Sequence, residues 1–213
     1  MISRIFHAWE RRLASVTTDR VVRDFEWGTE WLPTNSYKTE LAKLELDVIK
    51  QHEANHKHVE TWSINAVSDS DRLFETPPTN DYSLDNNELC FPSALKTPHT
   101  TNNTVYARYH QAHQTNGPRR AVVVMPQWNA DPDGHMALSQ LIAKFGVSAL
   151  RLSMPYHDRR MPPELHRADY IVSANIGRTL QICRQAVMDA KRAVHWLVNQ
   201  GYERVGVVGT SLG

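Results

Sequence analysis

The stretch VGVVGTSLG, Val205 to Gly213, decides the fold of this 213-residue chain. Its first half is a β-branched apolar run, which reads as a strand covered on both faces. Its second half is G-x-S-x-G, and the spacing has a steric reason. A serine hydroxyl that must stand clear of a sheet on a sharp, strained strand-to-helix turn leaves no room for side chains two positions to either side. Gly209 and Gly213 therefore mark an elbow, and Ser211 is the candidate nucleophile.

Working back from the elbow, the same grammar repeats. Ile176, Leu180, Cys183, Val187, Ala190, Val194 and Leu197 recur at spacings of four and three, one stripe of a long helix that Gly201 ends. Before it come a strand, SALRL (Ser148 to Leu152), a helix from His135 to Phe145 stopped by Gly146, and the unbroken run AVVVM (Ala121 to Met125). Leu89 to Leu95 and Thr104 to Tyr109 read as two short antiparallel strands, with PHTTNN turning the chain between them. Strand, helix, strand, helix, strand predicts an α/β fold built on a mostly parallel sheet flanked by helices.

The amino-terminal part differs. Helical patterns (Ile2 to Leu13, then Thr39 to about Asn55) alternate with polar stretches, and ETPPTNDYSLDNN, Glu75 to Asn87, has the composition of a linker. The chain divides into an amino-terminal helical and irregular extension, 1–87, and an α/β domain, 88–213. Ile2, Ile5, Phe6, Trp9 and Leu13 share one helical face, expected to dock on the protein's own body.

Composition removes several classes of function. With 24 Lys+Arg against 23 Asp+Glu the net charge is +1, which argues against a nucleic-acid partner. No apolar run approaches membrane-spanning length and the start has no signal-peptide core, so the expected location is cytoplasmic. Cys90 and Cys183 fall in no metal or redox spacing and read as small buried hydrophobes in a reducing compartment. No cofactor and no metal is expected.

Acyl transfer at Ser211 needs backbone N–H donors aimed at the developing oxyanion, one from the residue after the serine and one from the loop after an earlier strand. Leu212 provides the first. The second comes from the loop that follows AVVVM, Pro126 to Asp131, with Trp128 or Gln127 as the candidate amide.

With these residues in view, Leu89 to Gly213 resembles the α/β-hydrolase superfamily. It is similar to dienelactone-hydrolase and acetyl-esterase-like members and, through LRLSMPYHDRRMP (Leu150 to Pro162), to the abhydrolase-domain-containing protein 18 family. The resemblance implies a serine hydrolase acting on a small-molecule or lipid ester or related acyl bond. Ser211 would be its nucleophile, and the amides of Leu212 and Trp128 its oxyanion hole. The chain lacks a His-Gly-Gly oxyanion motif.

In that superfamily the acid and the histidine follow the serine. His135, His157, His166 and His195 all precede it; His195 reads as a helix-surface residue, and His157 and His166 as solvated in a polar loop. The expectation is an incomplete α/β-hydrolase fold, an inactive fragment truncated after the elbow, with self-association through an exposed sheet edge. Two rivals stand beside this reading. One is a non-catalytic hydrolase-like binding or scaffold module. The other is a zinc peptidase through His52-Glu53-Ala54-Asn55-His56, an H-E-x-x-H pattern whose third ligand would be Glu75 or Glu88. Arg159 and Arg160 read as a solvated loop rather than a cradle for an anionic group, and Asp189 and Arg192 as an exposed pair on the long helix.

Overall fold

The computed structural model describes residues 6–9, 11–12, 23–32, 48–113 and 117–213. At its centre lies β4 (Arg120–Met125), the AVVVM run, and its lack of alternation now has a cause. Ala121, Val123 and Met125 pack into one core with β5 (Ser148–Leu152) and the long helix α4 (Ile176–Asn199), while Val122 and Val124 meet Ala149 and Ile142 on the opposite face, under α3 (Met136–Lys144). A strand sandwiched between helices has no polar face to offer.

The sheet has six strands in the order β1-β2-β3-β5-β4-β6, with β1 Ser83–Asp85, β2 Glu88–Pro92, β3 Thr104–His110 and β6 Arg204–Gly209. β1, β2, β3 and β5 pair antiparallel; β5, β4 and β6 pair parallel. Within the expected linker, Ser83–Asp85 forms β1 against β2. Beyond the sheet, α1 (Val48–Ser68) and the single turn α2 (Ser70–Leu73) precede it in the chain. The helix expected from Thr39 lies largely outside the described residues and starts among them at Val48; of the Ile2 to Leu13 stripe, Phe6 and Trp9 are described and exposed. No helix among the described residues is long and apolar enough to cross a membrane.

Three expectations are corrected. β6 is not covered on both faces: it is the last strand of the sheet, and Val207 and Val208 are exposed, because among the described residues no element packs over its outer side. The buried face of α4 is broader than the apolar stripe. Ala190 and Leu197 of the stripe are buried, and so are Ile182, Gln185, Ala186, Asp189, Ala193 and Trp196, whereas Val187 is exposed and Cys183 half-buried. Cys90 is half-buried too. Polar residues join that face because they find partners inside. Asp189 is fully buried and accepts from Arg160 at 2.8 Å, from the Ser93 hydroxyl at 2.8 Å and from the Ala94 amide at 3.1 Å, and Gln185 accepts from Asn102 and donates to Ser93. Arg192 does not pair with Asp189; it donates to the carbonyls of Pro77 and Pro92.

The third concerns the Arg- and Pro-rich segment after β5, expected as a solvated loop. From Ser153 to His157 it is buried without a break. Arg160 is also fully buried, and besides Asp189 it donates to the carbonyls of Asn102 and Ser153. A guanidinium can be taken out of water only when most of its donors are satisfied, and here four hydrogen bonds meet that demand. Arg159 does stay at the surface, over the Tyr106 ring and 2.8 Å from Glu88.

Candidate active site at the end of strand β6

β6 runs into the elbow through Thr210, whose amide donates to the Met125 carbonyl at 3.2 Å, so the turn is tied to the end of β4. Ser211 then takes φ 55°, a left-handed conformation that costs a non-glycine residue energy and projects its side chain from the turn. The Gly213 amide closes the turn onto the Thr210 carbonyl at 3.0 Å. Both flanking glycines are sterically required. A methyl at Gly209 would run into the backbone of Gly213, and one at Gly213 into the carbonyls of Met125 and Pro126. Ser211 is exposed.

Ser211 and Leu212 line an open groove of about 580 Å³ together with Trp128, Arg23, Arg167 and Asp169. Trp128, Ser211 and Leu212 thus line one groove; Gln127 is not among the lining residues. Asp169 orients both cations, accepting from Arg167 at 2.7 Å and from Arg23 at 3.3 Å. On the other side of Leu212 lies an apolar groove of about 500 Å³ between α4 and β6, where His195 is exposed.

The Pro126 to Asp131 loop is held from outside. Trp128 donates its indole N–H to the Ala168 carbonyl at 2.9 Å, and the Ala168 amide donates to Asn129 Oδ1 at 3.1 Å. The Asn129 amide donates to His157 Nε2 at 2.8 Å, and His157 Nδ1 meets the Pro155 carbonyl at 2.9 Å. Asn129 itself sits at φ 54°, a conformation Asn tolerates better than most side chains. His157 is 1% exposed, which corrects its reading as a solvated residue. Burial holds its pKa below the ordinary histidine value, against the opposing hydrogen bond to Pro155. His166 is exposed, as expected.

None of these histidines hydrogen-bonds Ser211 among the described residues. His135 comes nearest along the chain of contacts, with Nε2 3.0 Å from the Thr210 hydroxyl, one residue short. The H-E-x-x-H pair is engaged elsewhere: the His52 and His56 rings pack edge-on against Trp27, with centroids 5.0 and 5.4 Å away. Of its two candidate third ligands, Glu88 is ion-paired with Arg108 and Arg159. No group of three metal-ligating side chains occurs among the described residues.

Arg23 was not legible as part of the groove. It arrives because the segment after it docks on the start of α4: the carbonyls of Glu26 and Trp27 accept from the amides of Ile176 and Gly177, at 3.0 and 2.9 Å. The first turn of a helix offers unsatisfied amides, and this stretch of backbone takes them.

No protein-family profile and no curated protein matches the sequence. The fold is similar to the crystal structure of a proposed acetyl xylan esterase from Bacteroides fragilis NCTC 9343, with TM-score 0.51 at 15% identity over 74% of this chain. The chain spans 48% of that protein's length. The likeness establishes the fold: a mixed α/β structure with a six-stranded sheet of parallel and antiparallel strands.

Proposed function

We propose that the chain carries the nucleophile end of a serine hydrolase acting on a small-molecule or lipid ester or related acyl bond. The observation that supports this best is the turn itself: a non-glycine serine at positive φ, exposed at the end of a parallel strand, between two glycines that cannot bear a side chain. Strain of this kind persists only where the surroundings enforce it. In this reading the Ser211 hydroxyl attacks the acyl carbon, and the amides of Leu212 and Trp128 stabilise the oxyanion. The esterase neighbour fits a small-molecule substrate.

No histidine among the described residues hydrogen-bonds Ser211, and on this proposal residues 1–213 alone do not turn over. A serine hydroxyl without an adjacent base keeps its proton and is a poor nucleophile. The test compares this 213-residue chain with the protein extended through its downstream reading frame, by fluorophosphonate labelling and p-nitrophenyl acetate hydrolysis. Labelling at Ser211 and turnover in the longer form are expected, with Ser211→Ala reducing turnover by about 10³-fold or more. A label on another residue, or turnover that survives Ser211→Ala, overturns the nucleophile. Ser211-dependent turnover by the 213-residue chain overturns its expected inactivity.

A further inference from the structure

We propose that His157 is a positioning residue for the oxyanion hole, a role that rests on the serine-hydrolase reading above. Its ring is buried, and its two nitrogens face groups of opposite character: the Pro155 carbonyl accepts, the Asn129 amide donates. One protonation state satisfies both, the neutral imidazole with hydrogen on Nδ1 and a lone pair on Nε2. An imidazolium would turn an N–H against the Asn129 N–H. The side chain is therefore a fixed acceptor, aimed at one backbone amide of the loop across from the nucleophile.

That amide is well placed to matter. The Asn129 N–H belongs to the peptide joining Trp128 to Asn129, so the hydrogen bond fixes the plane of that peptide directly after the candidate oxyanion donor. Two further ties, Trp128 Nε1 to the Ala168 carbonyl and the Ala168 amide to Asn129 Oδ1, hold the same two residues from the side of the Ser211 groove. Asn129 at φ 54° is where the chain turns. With His157 removed, the loop keeps its Ala168 anchors and its own Ala130-to-Gln127 turn bond, and loses the one bond made directly to the N–H of that peptide. The anchor's own base is stiff: the His157 carbonyl accepts from the Arg160 amide and the Ser153 hydroxyl, and the Arg160 side chain is fixed by Asn102, Ser153 and Asp189. A rigid ring on a rigid support is what a preorganised oxyanion site requires, since its donors must sit within a few tenths of an ångström of the place where charge develops.

The experiment uses the longer, Ser211-dependent protein, with His157→Leu and His157→Gln beside the parent. Gln places an acceptor oxygen near the Nε2 position; Leu fills the volume without one. Active serines are counted by fluorophosphonate labelling, so that any unfolded fraction is removed from the rates. For His157→Leu the expected result is a kcat per labelled serine lower by about 10–100-fold with KM within about 2-fold, because the lost interaction acts in the transition state. His157→Gln is expected to recover most of it. Amide hydrogen exchange at Asn129 is expected to speed up in His157→Leu and stay protected in His157→Gln. Equal per-site kcat in the parent and His157→Leu overturns the inference while leaving the hydrolase reading intact, as do equal losses in both variants. Absence of Ser211-dependent turnover in the parent overturns both.

Discussion

The elbow and the loop that faces it are built by opposite means. Gly209 to Gly213 is held by its own backbone: two glycines allow close approach, and the Thr210 and Gly213 amides close the turn within the segment and onto β4. Pro126 to Asp131 has no glycine and, besides one turn bond of its own from Ala130 to Gln127, is held by groups that arrive from His157 and Ala168, 28 and 39 residues away. One half of the site is a local property of the chain; the other is a property of the folded molecule. The same contrast recurs beside the sheet: β4 is packed between two apolar faces, while the connection between β2 and β3 is tied to α4 by buried hydrogen bonds of Ser93 and Asn102 with Asp189 and Gln185.

The heaviest blow to the side-chain-held half is Arg160→Met. It leaves Asp189 a buried carboxylate without its cation, still accepting from Ser93 and Ala94, and it frees the Asn102 and Ser153 carbonyls. Breaking a buried pair by removing one partner costs about 3–5 kcal/mol. Chemical denaturation is expected to show a loss of that size. A loss under about 1 kcal/mol would mean that the network is a consequence of the fold rather than a support of it.

Against this, Gly209→Ala tests the backbone-held half. The added methyl meets the main chain of Gly213, which cannot swing aside as a side chain would. The expected cost is about 1–3 kcal/mol, the usual range for overpacking, accompanied by loss of fluorophosphonate labelling at Ser211 in the longer protein. Thermal denaturation and labelling together check it. Normal labelling in a destabilised variant would show that the turn is less exacting than its contacts imply.

The contrast also explains what was legible in the sequence. AVVVM and the two later strands could be read because both faces of a parallel strand are apolar, and the elbow because its steric logic is confined to five residues. The long helix was found, but only part of its buried face. Apolar periodicity pointed to Ala190 and Leu197, which are buried, but also to Val187, which is exposed, and it missed Gln185 and Asp189, whose partners Asn102 and Ser93 lie 83 and 96 residues away. The same holds for His157 and Arg160. A run such as HDRR carries every local sign of a solvated loop, and only its tertiary partners make burial affordable. His157 differs from Arg159 two positions on in nothing that periodicity detects. A weak signal did exist: a serine hydrolase needs a second oxyanion amide, and a loop without glycine must have its geometry imposed from elsewhere.

The smallest effect sharpens the comparison most, because it separates the ring of His157 from its surroundings by pH. In the folded protein burial holds the ring pKa below 6.5, its ordinary value. The unfolded chain therefore binds more protons than the folded one between those two values, and stability must fall as pH falls through that window. Asp158 pulls the ring the other way, while Arg151 and Arg160 reinforce the shift. The slope reaches at most about 1.4 kcal/mol per pH unit for one such group. His110, also held low by burial, contributes in the same direction. Stability measured by denaturation is expected to fall between about pH 7 and pH 5 in the parent, and to fall by less in His157→Gln, which has no proton to take up. Identical slopes in the two proteins would assign the acid sensitivity to His110 and the surface. The elbow from Gly209 to Gly213 holds no titratable side chain, and His135 reaches it only through the Thr210 hydroxyl at 3.0 Å.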